Sequence, residues 1–254
     1  MTSLARAAAV QLPLFQESAP PSVTIRESRR ARRLNLSVLP HGTVEVVVPP
    51  RTRPDEVESF VSSHQEWIER TRHAFAAMGC VNDLSPPDRI EFRLVPEIVD
   101  IHYETHAGRP RLRVDRGPPD GRLCVSTRPA AETVRRQLLR RWAVQAGSRV
   151  LLPQLQAWST EMGLRYRDAR VGRQRTRWGS CTSARRISLN CALLFLPPRL
   201  VECVMVHELC HLRHLNHSRR FWSLVGEYLP DYRQREKEIG RSWGRVPAWL
   251  FYDA

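Results

Sequence analysis

The sequence predicts an α+β protein whose first half is an antiparallel, β-rich assembly with one long helix and whose second half is helical with a small sheet. Three observations carry that expectation. Short β-branched runs punctuated by glycine and proline fill the first half, the mark of strands joined by tight turns. Beyond Pro129 apolar residues fall at three- and four-residue intervals, the period of amphipathic helices. No segment repeats at a fixed spacing, which excludes solenoids and propellers. The organisation that follows is a flexible tail over residues 1–21, a β-rich half over 22–128 and a helical half over 129–254.

Each element has a local reason. Residues 1–21 lack periodicity and end in Ala19-Pro20-Pro21. Val23 to Arg26, Leu34 to Leu39 and Thr43 to Val48 alternate or run β-branched, with His41-Gly42 as a turn and Pro49-Pro50 as the stop, which predicts a small antiparallel sheet. Val57, Phe60, Val61, His64, Trp67, Ile68 and Phe75 trace one helical face between Pro54 and Met78. Further strands are expected over Ile90–Val95, Val99–Glu104, Leu112–Val114 and Leu123–Thr127, separated by Gly108, Gly117-Pro118-Pro119 and Gly121. Helix resumes through Val134, Leu138, Leu139, Trp142 and Val150, with an interruption at Pro153 before Leu155–Met162. Short strands follow at Ala169–Val171, Arg177–Cys181 and Ile187–Asn190.

Composition narrows the function classes. A chain of 254 residues buries one substantial core or two modest ones. With 42% hydrophobic residues and no apolar run near the ~20 residues of a membrane span, the chain reads as soluble, without a membrane partner. Gln11, Pro13 and Gln16 interrupt the apolar stretch that a signal peptide needs. Six scattered cysteines, Cys80, Cys124, Cys181, Cys191, Cys203 and Cys210, form no CxxC pair. They fit small buried thiols in a reducing cytoplasm. The formal net charge of +14 makes nucleic acid a candidate partner, although a solvated basic surface explains the same number.

The chemistry concentrates after Pro197-Pro198. Leu200, Val201, Val204, Met205, Cys210, Leu212 and Leu215 describe a largely buried helix over Arg199–Leu215 that begins with proline in its first turn. Within it lies His207-Glu208-Leu209-Cys210-His211. Residues four apart share a helical face, so both imidazoles can address one ion while Glu208 reaches the water that the ion binds. A catalytic zinc site takes three protein ligands and keeps one position for water. His217 is the preferred third ligand, in a chain turning back past a helix end near Asn216. His214 competes, but continued helix would carry it away along the axis. Imidazole-rich ligation favours Zn2+, and a metal offsets the cost of burying two histidines and an acid on an apolar helix.

Several motifs together resemble one family. Arg177-Trp178-Gly179-Ser180-Cys181, Ile187-Ser188-Leu189-Asn190, the histidine helix, Asn216-His217-Ser218 and Phe221-Trp222 closely resemble the YgjP-like metallopeptidases, M48-type zinc peptidases related to the SprT and WLM groups. Ser28-Arg29-Arg30-Ala31-Arg32-Arg33-Leu34, Trp67-Ile68 and Pro230-Asp231-Tyr232 extend the likeness over nearly all of residues 22–240. The strands over Ile90–Glu104 depart from the family's glycine and tyrosine spacing. The resemblance implies a zincin-like second half, zinc on His207, His211 and His217, catalysis by Glu208, and a protein or peptide substrate. It also implies that the Trp178–Cys181 strand lies beside the metal helix as an edge for an extended peptide. Trp178 and Gly179 fit an alternative, structural reading as core and close backbone approach.

Arg177, Asn190 and Tyr232 are candidate oxyanion donors by their chemistry. Cys181 and His214 matter for a rival reading, a noncatalytic zinc-stabilised module for DNA or a repair complex, since either could close the fourth coordination position. In the tail, Gln11, Leu12, Leu14 and Phe15 resemble the short peptides that dock on the bacterial DNA sliding clamp, which makes the clamp a second candidate partner.

Overall fold

The computed structural model describes residues 23–29, 31–39, 42–77, 83–117 and 120–251. Gln11, Leu12, Leu14, Phe15 and Cys80 lie outside them. The chain forms two compact units, residues 1–81 and 82–254, whereas the change of texture in the sequence falls at Pro129.

In the first unit, β1 (Val23–Glu27), β2 (Asn35–Val38) and β3 (Val44–Val48) form a sheet in the order β1-β3-β2. A hairpin joins β2 to β3 through Gly42, whose φ of 84° suits glycine. β1 instead pairs with the far edge of β3 and runs parallel to it. The sheet is therefore mixed, not antiparallel as the turn signals suggested. Its cause is the segment 28–34, a crossover rather than a hairpin: it leaves β1 beside Val48 and enters β2 beside Val47, passing the end of β3.

Two helices, α1 (Pro54–Ser63) and α2 (Gln65–Ala77), replace the single one expected over Pro54–Met78. The break is at His64, whose Nδ1 lies 2.8 Å from the Phe60 carbonyl oxygen. That local side-chain bond competes with the helical ladder. Val38, Val44, Val46, Val48, Val57, Val61 and Ile68 form this unit's core.

The second unit begins with a four-stranded sheet of β4 (Arg89–Glu91), β5 (Ile98–Thr105), β6 (Arg111–Arg116) and β7 (Asp120–Thr127), in the order β4-β5-β7-β6. Here too the pairing is mixed, with β5 and β7 parallel over eight residues. A 30-residue helix, α3 (Glu132–Glu161), follows and passes through Pro153 without interruption. Leu151 and Leu155, both fully buried, anchor the helix on either side of the exposed proline. Packing there outweighs the one backbone hydrogen bond that proline removes.

β8 (Asp168–Gly172), β9 (Gly179–Cys181) and β10 (Arg186–Asn190) make a small sheet in the order β8-β10-β9, leaving β9 at an edge. α4 (Pro198–Cys210), α5 (Arg219–Tyr228) and α6 (Tyr232–Gly240) complete the helical part. α4 stops at Cys210, five residues short of Leu215, which is exposed. The last described residues turn inward: Trp243, Trp249, Leu250 and Phe251 are buried. Among the described residues no helix is long and apolar enough to cross a membrane.

Candidate metal centre

α4 is buried along Leu200, Val201, Val204 and Met205, so its position in the second unit is set by apolar packing. The last turn of that helix carries the polar residues. His207 and His211, one turn apart, bring their Nε2 atoms to 3.2 Å. Because α4 ends at Cys210, the chain is free to turn through 211–217, and the Nε2 of His217 comes to 3.0 Å from that of His207. The ligand atoms of all three lie within 4.8 Å of one another. Among the described residues this trio includes neither His214 nor Cys181. His214 contributes its carbonyl oxygen, 3.0 Å from His211 Nδ1. The Cys181 thiol is turned toward the Thr182 carbonyl.

The outer nitrogens decide what the inner ones can do. His211 Nδ1 donates to that carbonyl, which leaves Nε2 as a bare lone pair. His207 Nδ1 lies 3.2 Å from Glu236 Oε1, and a neutral ring donating there presents Nε2 as a lone pair as well. Two lone pairs facing each other at 3.2 Å repel unless something positive lies between them. Nitrogens bound tetrahedrally to one zinc at about 2.0–2.1 Å stand about 3.3 Å apart, close to the 3.2 and 3.0 Å that separate His207 Nε2 from the Nε2 atoms of His211 and His217. Burial, reinforced by His207 and His217, holds the His211 ring below its ordinary pKa against the opposing bond to His214. The neutral form is the one that binds metals.

Glu208 supplies a second observation of fit. Its carboxylate is 6% exposed, and Oε2 has no hydrogen-bond partner among the described residues. Burial pushes its pKa up to about 7, while His207 and Arg177 pull it down. A buried carboxylate oxygen without a donor is costly, and a metal-held water is the kind of donor that would satisfy it. β9 closes over this group. A Cβ added to Gly179 would stand 2.6 Å from Glu208 Oε1 and 2.7 Å from its Cγ, so only glycine permits the approach.

An aromatic shell holds the imidazoles. Phe221, fully buried, has its ring centroid 4.6 Å from that of His211 and 4.9 Å from those of His207 and His217. Trp222 stacks on His217 at 5.6 Å and on Tyr232 at 5.2 Å. α5 owes this placement to Ser218, whose side chain caps it by accepting from the Phe221 amide. Trp178 is core, stacked on Trp243 at 4.0 Å.

The sequence-derived oxyanion candidates separate. Asn190 is fully buried and donates both amide hydrogens, to the Gln174 carbonyl at 2.6 Å and the Arg177 carbonyl at 2.8 Å. It is a clamp for the irregular segment that precedes Gly179, with no hydrogen left for a substrate. Arg177 is exposed, yet its charge is felt at Glu208. Tyr232 lies behind Trp222 and accepts a hydrogen bond from Arg233 Nε at 3.3 Å.

Sequence reasoning missed Glu236, which no local motif announces. It reaches His207 because α6 is tied to α4 by Arg199 with Glu238 and Arg235 with Glu202. The charged run of α6, Arg233 to Glu238, was the available signal.

No curated protein matches the chain. The crystal structure of the metallopeptidase zymogen of Pyrococcus abyssi abylysin is 21% identical over 39% of this chain and 99% of that one, with a TM-score of 0.35. The model of the YgjP-like, metallopeptidase domain matches residues 32–242. That match spans most of the chain, including every residue of the histidine trio and Glu208, and the chain therefore belongs to the YgjP-like metallopeptidase family.

Proposed function

We propose that this protein is a zinc-dependent peptidase in which His207, His211 and His217 hold the ion and Glu208 is the general base. The observation that carries the reading is the buried, unpartnered Oε2 of Glu208 beside bare imidazole nitrogens. When bound, the ion supplies Lewis-acid chemistry, making its water a nucleophile near neutral pH and polarising the scissile carbonyl. Glu208 takes the proton from the attacking water and delivers it to the leaving amine. Its burial under Gly179 keeps it from ion-pairing elsewhere.

β9 is an edge strand with its second side unpaired in the sheet. An extended peptide can add to that side, with main-chain hydrogen bonds holding it over Glu208. Arg177, which precedes this strand and is exposed, is placed to favour the oxyanion electrostatically. The exposure of His217 supports a centre open to substrate rather than a closed structural site.

The test is Glu208→Gln, compared with wild type by metal analysis and by cleavage of a peptide library. We expect full zinc stoichiometry and a loss of at least about a hundredfold in kcat, the scale of general-base catalysis. Retained turnover in this variant would remove Glu208 from the mechanism. A wild-type protein that holds zinc but cleaves no peptide would favour the binding-module reading.

A further inference from the structure

Arg29, Arg32 and Arg33 belong to the first unit, where the strand topology gathers them at one place. The topology sends residues 28–34 across the C-terminal end of β3, from Glu27 beside Val48 to Asn35 beside Val47. The Ser28 amide donates to the Val48 carbonyl at 2.8 Å, and the Ala31 amide donates to the Ser28 carbonyl at 3.0 Å. The turn that leaves β3, Pro49–Arg53, emerges at the same end, closed by the Thr52 side chain bonding the Pro49 carbonyl at 2.8 Å. Two arginine-bearing turns are thereby gathered at one end of a three-stranded sheet.

Arg29, Arg32, Arg33 and Arg51 are exposed there. Other arginines of the unit have acidic partners: Arg26 with Glu45, Arg53 with Asp55, Arg70 with Glu66 and Arg72 with Glu69. The four at the sheet end have none among the described residues. Glu27, exposed at the end of β1, is the carboxylate nearest Arg29, Arg32 and Arg33 in sequence, and Asp55, paired with Arg53, is the one nearest Arg51. Arg51 also has a φ of 67°, a conformation that glycine or asparagine would adopt with less strain.

We infer that this end of the sheet binds the phosphodiester backbone of a nucleic acid. Guanidinium groups present forked donors that match phosphate oxygens, and two adjacent turns offer several such forks across one surface. Among the described residues of this unit the large exposed apolar side chain is Trp67, on α2, and binding to anionic vesicles is the outcome that would mark an interfacial membrane site instead. Contacts of this kind position a protein on a backbone without reading bases. Duplex DNA, single-stranded DNA and RNA share the chemistry, and the experiment separates them.

The full-length protein is titrated into fluorescein-labelled oligonucleotides of each type, with binding read by anisotropy at several KCl concentrations between about 50 and 300 mM, the range over which backbone contacts weaken steeply. The variant R29E/R32E/R33E/R51E is compared with R109E/R111E/R116E/R122E, which changes the charge equally at exposed positions of the second unit. We expect wild type to bind at least one nucleic acid, the first variant to bind at least about tenfold more weakly, and its salt slope to fall by up to about 3.6 for duplex DNA, near 0.9 for each phosphate no longer neutralised. The second variant should remain within about threefold of wild type, the outcome expected when the contacts are confined to the first unit's sheet end. An Arg→Gln set at the same four positions keeps the test decisive if charge reversal disturbs folding. Undetectable binding by wild type, equal weakening in the two variants, or preferential weakening of binding to phosphatidylserine vesicles would each overturn the inference. None of these readouts involves peptide cleavage, so the outcome is independent of the peptidase reading.

Discussion

Among the described glycines, Gly179 makes the closest approach that a side chain would block, and it makes it on Glu208, the proposed general base. The missing side chain at residue 179 is what allows β9 to lie on the carboxylate, since a methyl group would come within 2.6 Å of Oε1. Gly179→Ala should displace Glu208, lowering kcat/KM by a factor of about a hundred, the scale that misplacing a reacting group costs. Zinc content should stay near wild type, because neither residue is a proposed ligand. Steady-state kinetics with metal analysis checks both halves of this expectation. The cysteines make a second residue-level case. Burial pushes Cys191, Cys203 and Cys210 each up to about 12, and Cys181 up to about 11 with a contribution from Glu208. A raised thiol pKa favours the neutral form in the folded state, so its stabilising effect is complete below the unfolded value of about 8.5 and declines as pH rises toward 12. Iodoacetamide at about pH 8, just below that unfolded value, should label these four slowly in the native protein and fast in concentrated urea. Mass spectrometry of the labelled peptides reads the result, and rapid native labelling of Cys203 would contradict it.

At the scale of elements, α4 alone cannot make a metal site. It presents two imidazoles; the third comes from the turn after its early end, the aromatic backing from α5, and the acceptor for His207 from α6. Glu236→Ala leaves the inner nitrogens in place but releases the His207 ring. Loss of such an outer partner typically weakens metal binding by about 10–100-fold. Competition with a chromogenic chelator measures this directly, and Glu236→Gln should recover part of the loss by still accepting from Nδ1. Affinity unchanged in both variants would show that packing against Phe221 is enough to orient His207. The early stop of α4 was hidden from periodicity, because Leu212 and Leu215 continue the apolar spacing past Cys210. Leu215 is 62% exposed, so that continuation was coincidental. The break at His64 was hidden for the opposite reason, since His64 fits the apolar stripe and its ring also bonds the preceding turn.

On the scale of each whole unit, long-range closure does the work that local pattern cannot announce. In the second unit the residues after α6 return to the core, where Arg140 Nε donates to the Trp249 carbonyl at 2.7 Å and Arg173 donates to the Leu250 carbonyl at 2.8 Å. Phe251 is fully buried and meets Trp243 edge-on at 5.8 Å; Trp243 in turn stacks on Trp178, next to Gly179. Phe251→Ala should therefore cost about 3–5 kcal/mol of stability. Urea unfolding followed by tryptophan fluorescence tests this, and a loss below about 1 kcal/mol would place the ring outside the cooperative core. What the sequence determined by itself was the α+β class, the elements with clear period and the placing of two imidazoles on one helical face, because period and residue spacing are properties of a few neighbouring residues. Tertiary structure alone decided the parallel pairing of β1 with β3, the passage of α3 through Pro153, the reach of Glu236 to His207 and the commitment of Asn190 to a clamp. Each of these depends on contacts between residues far apart in the chain, whose energies outweigh local preference once a core can form.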